Sequence, residues 1–113
     1  MEGIEKINVD DVVVLAIQLS HSTLLETKKF KKLIEDEINL GKHKFIIDLN
    51  RLEHIDSTFL GGIMMVLQKL NETGGKMKIV EPANPNEDIF DVTKTYELFD
   101  MYKTRDAALN SFA

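Results

Sequence analysis

The chain has no cysteine, which excludes a disulfide framework and a thiolate metal site. It has no apolar run near the roughly 20 residues that a membrane-spanning helix needs. Its start, Met1-Glu2-Gly3-Ile4-Glu5-Lys6, lacks the basic region and apolar core of a signal peptide. Basic residues are in the minority: 14 Lys and Arg against 19 Asp and Glu give a net charge of −5. That is the wrong sign for broad binding to nucleic-acid phosphates. The histidines, His21, His43 and His54, stand apart without the spacing of metal ligands. There is no glycine-rich phosphate loop. These absences point to a cytoplasmic protein with no metal, no cofactor, and no nucleic-acid or membrane partner, one that meets other proteins instead.

What is present suits one soluble domain over residues 1–113, with 43% hydrophobic and 29% charged residues. Ile4 to Val9 reads as an edge strand and Asp10-Asp11 as a turn. Val12-Val13-Val14-Leu15-Ala16-Ile17 is a nearly continuous β-branched run, the mark of a strand buried on both faces. Ser20 to Thr23 reads as a loop. Phe30, Leu33, Ile34 and Ile38 recur at helical spacing between Leu25 and Leu40, and Gly41 stops that helix. Its outer face carries Lys28, Lys29, Lys31 and Lys32, then Glu35, Asp36 and Glu37. This allows Lys31–Glu35 and Lys32–Asp36 pairs across one turn and leaves a basic half suited to an acidic partner.

Lys44 to Leu49 is a second buried strand. A helix from Ser57 to Asn71 follows, with Leu60, Ile63, Met64 and Leu67 as its core stripe, and Gly74-Gly75 turns it into the strand Lys76 to Val80. Pro82 and Pro85 bracket a loop. A short helix from Asn86 to Val92, a strand from Leu98 to Tyr102 and a terminal helix capped by Thr104, with Ala108, Leu109 and Phe112 inward, complete the chain. The order β-β-α-β-α-β-α-β-α is α/β: a mixed β-sheet with covering α-helices.

The chemistry-bearing stretch is Phe45-Ile46-Ile47-Asp48-Leu49 followed by His54-Ile55-Asp56-Ser57-Thr58-Phe59-Leu60. It brings small hydroxyls to a helix N-terminus, where backbone N–H groups and the helix dipole favour negative charge. With Asp56 as N-cap, Ile55 and Leu60 form a hydrophobic staple; with Ser57 as N-cap, the flanking pair is Asp56 and Gly61 and no staple forms. Asp56 is therefore the expected cap, which leaves the Ser57 hydroxyl outside the capping arrangement, with Thr58 next in line. A phosphate on Ser57 adds nearly two negative charges and three acceptors. Met65 points away from the core stripe and, with Thr58, Phe59 and Gly62, is a candidate for a partner surface. A serine hydrolase would need a base and an oxyanion hole beside Ser57. His54 could approach it, but no Gly-x-Ser-x-Gly elbow is present, so no enzyme activity is expected.

Ile46-Ile47-Asp48-Leu49, a spacer, Ile55-Asp56-Ser57-Thr58 and Leu60-Gly61, with the later Gly74-Gly75, Ile89-Phe90-Asp91-Val92 and Leu98-Phe99, resemble the STAS domain of bacterial anti-sigma factor antagonists over nearly the whole chain. The resemblance implies a single STAS-like domain that binds an anti-sigma factor that is also a serine kinase, and so regulates sigma-factor-dependent transcription. It implies Ser57 as the phosphorylation site (Thr58 the alternative), with Asp56 beside it, and a phosphatase that reverses the modification. Together with the candidates read from the helix itself, this gives an expected partner surface of Asp56, Ser57, Thr58, Phe59, Gly62 and Met65. Phe59 stands where the family has glycine, and Ser20-His21-Ser22-Thr23 where it carries Gly-x-Leu-Asp. These departures support an alternative, a non-phosphorylated STAS scaffold of a larger signalling complex.

Overall fold

Side-chain alternation builds two layers onto one sheet. The computed structural model describes residues 3–18, 24–52, 57–83 and 96–112. Strands β1 (Ile4–Val9) and β2 (Val12–Ile17) form an antiparallel hairpin from Ile4 opposite Ile17 to Val9 opposite Val12. Its turn is Asp10-Asp11, with Asp10 at φ 55°, a left-handed conformation that aspartate tolerates better than most residues. β3 (Lys44–Asp48), β4 (Lys76–Val80) and β5 (Asp100–Tyr102) each run parallel to the preceding strand. The five-stranded sheet thus keeps chain order, β1-β2-β3-β4-β5, which makes it mixed, as the sequence indicates.

Helices α1 (Leu24–Asn39) and α2 (Ser57–Glu72) cover one face. Val13, Leu15, Phe45, Ile47 and Ile79 from the strands meet Phe30, Ile34, Phe59, Ile63, Val66 and Leu70 from the helices. The opposite face is covered by α3 (Arg105–Asn110), whose Ala108 lies over Val12, Val14, Ile46 and Val80, with Leu109 and Phe112 packed alongside. β2 is therefore buried at every position because both of its faces have a cover, and no alternation survives in its sequence.

The helix ends follow from local chemistry. α1 and α2 both end in Schellman turns around a left-handed glycine, Gly41 (φ 92°) and Gly74 (φ 78°). Lys42 N donates to Glu37 O at 3.0 Å, and Gly75 N donates to Leu70 O at 2.7 Å. Thr104 caps α3, its Oγ1 accepting from Ala107 N at 3.0 Å.

Some expectations change. α1 and α2 differ from their expected bounds by a residue. The last strand begins at Asp100, not Leu98, because Tyr96–Leu98 forms a 3-10 turn and only Lys78 to Val80 of β4 pair with β5. Met64, expected in the core stripe, is exposed, while Phe59, Val66 and Leu70 are buried in its place. Glu37, expected on the outer face, is buried and paired with Lys6 at 3.5 Å. The expected Asn86–Val92 helix, the 20–23 loop and the Asp56 cap lie outside the described residues. No helix among the described residues is long and apolar enough to cross a membrane.

Candidate functional site

β3 ends at Asp48, and the chain is then held by a series of short bonds. Asp48 Oδ1 accepts from Asn50 N at 3.0 Å, Leu49 N donates to Val80 O at 3.0 Å, Leu52 N to Leu49 O at 3.0 Å and Ala83 N to Asn50 O at 3.2 Å. Leu49 and Leu52 are buried and anchor this turn from below. The carboxylate of Asp48 is itself buried; its second oxygen accepts from Arg105 Nε at 2.9 Å. A buried carboxylate needs such partners, so the C-terminal helix and the loop after β3 are fixed to one another.

α2 begins in the described chain at Ser57. Ser57 and Thr58 are exposed, whereas Phe59 is 0% exposed. The Phe59 ring packs on Phe30 with centroids 5.1 Å apart and planes tilted by 35°. Such a pair adds about 0.5–1.5 kcal/mol to the burial of the two rings. Phe59 is thus a core residue and offers no surface to a partner, contrary to expectation. Its helical position explains this: Phe59, Ile63, Val66 and Leu70 recur at i, i+4, i+7 and i+11 and together face the sheet.

Gly62 is also corrected. It is buried beneath α1, where an added Cβ would stand 2.7 Å from Thr27 Cγ2. Met65 is 58% and Met64 38% exposed, so Met65 lies outward as expected and Met64 joins it. The outer seam between the helices is polar: Lys31 Nζ donates to Met65 Sδ at 3.7 Å, and Lys69 pairs with Glu35 at 3.9 Å. Lys31 therefore serves the neighbouring helix, not Glu35, while Lys32–Asp36 forms as expected at 3.4 Å. The exposed residues that the structure brings together are Ser57, Thr58, Met64 and Met65, set around the half-buried Gly61 and bordered by Lys31.

Two features escaped the sequence reading. One is Gly61: an interior helix glycine is a local anomaly that can be read directly from the sequence. The Asp48–Arg105 pair spans 57 residues and has no local signature. It lines a cleft of about 500 Å³ on the α3 side, with Glu5, Arg51, Lys103 and Asp106. Three acids face three bases there, which gives the cleft no preferred sign of ligand.

Comparison with known proteins supplies the family. The STAS-domain family model matches residues 4–108. A Thermotoga maritima protein described as a candidate anti-sigma factor antagonist is 31% identical over 102 residues, 89% of each chain. A crystal structure of a protein so described from Thermotoga maritima has a TM-score of 0.82 at 28% identity, covering 97% of this chain and 94% of the other. The unphosphorylated form of the anti-sigma factor antagonist SpoIIAA shares the fold, with a TM-score of 0.78 at 18% identity over 96% of both chains; its phosphorylated form, from Bacillus, gives 0.75 at 16% identity over 97% and 99%. A sheet in chain order, two helices on one face, a short helix on the other and the family match over nearly the whole length lead to one conclusion: the chain belongs to the STAS-domain family.

Proposed function

We propose that this protein is an anti-sigma factor antagonist, a binding module switched by phosphorylation of Ser57 and not a catalyst. The observation that carries the reading is the division of labour at the start of α2: Ser57 and Thr58 are exposed, while Phe59 is locked in the core. A phosphate on Ser57 would enter solvent, not the hydrophobic interior. The helix N-terminus tolerates added negative charge, so the modification alters what the surface can bind and leaves the fold standing. Unmodified, the surface around Ser57 docks on an anti-sigma factor that is also a serine kinase and frees the sigma factor. A phosphate, with nearly two charges to desolvate, weakens that docking, and a phosphatase restores it. The setting of this cycle is the cytoplasm.

Phe59 supports this reading over the scaffold alternative, because a buried ring does not obstruct a kinase. The test is phosphorylation of the purified chain by an anti-sigma factor kinase that binds it, with ATP, and mapping by mass spectrometry. Phosphate on Ser57 is expected. Phosphate elsewhere, or none while a control antagonist is modified, overturns the switch.

A further inference from the structure

Two adjacent glycines occupy the middle of α2, and packing accounts for only one of them. A Cβ on Gly62 would meet Thr27 Cγ2 at 2.7 Å and Lys31 Cδ at 3.7 Å, so Gly62 is what allows α1 to lie against α2. A Cβ on Gly61 would meet nothing within 4 Å. Gly61 is also not among the glycines of positive φ, which are Gly3, Gly41 and Gly74. Glycine inside a helix weakens it relative to alanine, and here neither close packing nor backbone conformation compensates.

The surroundings of Gly61 show what the missing side chain leaves open. On a helix surface the neighbours of a residue are those three and four positions away. For Gly61 these are Ser57, Thr58, Met64 and Met65, and all four are exposed. Gly61 is therefore a stretch of bare backbone at the centre of a diamond, with hydroxyls at one end and flexible thioethers at the other. Met side chains adapt to whatever they contact. The edge toward α1 is basic. The stem of Lys31 crosses Gly62 and its ammonium reaches Met65 Sδ at 3.7 Å, while Leu24 and Lys28, both exposed, continue the same stripe of α1 at i−7 and i−3. Glu35, the acid farther along that stripe, is engaged by Lys69.

We propose that the Gly61 depression is the docking seat of the partner protein: an apolar side chain of the partner rests on the Gly61 backbone between Met64 and Met65, and a carboxylate beside it faces Lys31 and Lys28. This rests on the function proposed above and names the chemistry of the partner at that site. A local cluster of lysines in a chain of net charge −5 selects an acidic neighbour, and the exposed methionines and Leu24 select an apolar one. Ser57 lies one turn, about 5.4 Å along the axis, from the seat, so its modification falls on the rim.

The test is Gly61→Ala in the full chain, with two readouts of opposite sign. Alanine relieves the helix and touches nothing, so the melting temperature rises, by about 4 °C. The same methyl group fills the seat, so affinity for a purified anti-sigma factor that binds the wild-type chain falls by about tenfold or more, measured by calorimetry. Lys31→Glu weakens the same binding. An unchanged or lower melting temperature shows that the fold needs the glycine and overturns the proposal; so does unchanged affinity at a raised melting temperature. Sedimentation of the chain alone addresses the remaining occupant: a dimer that Gly61→Ala dissociates would make a second copy the occupant and overturn the assignment to a partner. Ser57→Asp separates the two readings. Binding lost in Gly61→Ala but kept in Ser57→Asp upholds the seat and ends the switch, and the reverse upholds the switch and ends the seat.

Discussion

Two neighbouring glycines illustrate how residue-scale physics separates structure from function. Gly61 and Gly62 have the same intrinsic helix penalty, close to 1 kcal/mol relative to alanine, so the helix-propensity part of the gain is the same for either substitution. Their surroundings differ: Gly62 faces Thr27 Cγ2 at 2.7 Å and Gly61 faces open space. The difference between Gly61→Ala and Gly62→Ala therefore isolates the packing cost, expected at about 1–3 kcal/mol in favour of Gly61→Ala. Adding Thr27→Ser to Gly62→Ala removes the obstructing methyl while keeping the hydroxyl, and should close most of that gap. Urea denaturation of the four proteins measures it. Equal stabilities of the two alanine variants would show that α1 yields at Thr27. None of this contrast is legible in the sequence, where the glycines are adjacent and alike. The same holds for Phe59: its position at the margin of an apolar stripe leaves its direction undecided until Phe30 is seen across the seam.

At the scale of elements, whatever depends on local chemistry was legible. The glycine caps of α1 and α2, the Thr104 cap of α3 and the doubly buried β2 all follow from residues within a few positions of one another. Pairings across long separations were not: Lys6 reaches Glu37 over 31 residues and Arg105 reaches Asp48 over 57, and no periodicity registers them. Lys78 makes another pairing of this kind, to Asp100 and Tyr102 of β5. It is buried in β4, donates to Asp100 Oδ2 at 3.1 Å and to Tyr102 Oη at 3.3 Å, and lies 4.6 Å from the centroid of Phe112. Burial alone would pull its pKa down, but the hydrogen bonds to Asp100 and Tyr102 outweigh burial and raise it above the ordinary 10.5. A raised folded-state value means that the charged amine stabilises the fold fully below 10.5 and that this contribution is lost as pH climbs through the raised value. Wild-type stability should thus decline on the alkaline side above 10.5. Lys78→Met should be less stable near neutrality, on the order of 1 kcal/mol, and lose less on the alkaline side. Denaturant midpoints across that range check it; parallel curves for the two proteins would show that Lys78 does not couple to folding.

At the scale of the molecule, the sheet divides the labour between its faces. The α3 face is fastened internally, by Arg105–Asp48 and by Lys78 with Asp100. The α1–α2 face carries the exposed hydroxyls and methionines. A charge added at Ser57 should therefore act on association and not on folding. Asp at this position adds one negative charge at a helix N-terminus, where the dipole contributes about 0.3–1 kcal/mol in its favour. Phe59, two residues on, stays anchored in the core. Ser57→Asp should accordingly melt at or slightly above the wild-type temperature while losing affinity for the anti-sigma factor, and Ser57→Ala should keep that affinity. Raising the salt concentration should narrow the part of the gap that arises as the two chains approach, because Ser57 and Lys28 are exposed in the free protein and charges there are screened over about 8–10 Å. Melting curves and calorimetric titrations at two salt concentrations separate the possibilities. A Ser57→Asp variant that melts well below wild type would mean that charge at this position acts on the fold. One that melts normally and binds as tightly as wild type would leave the family fold without the switch and favour the scaffold.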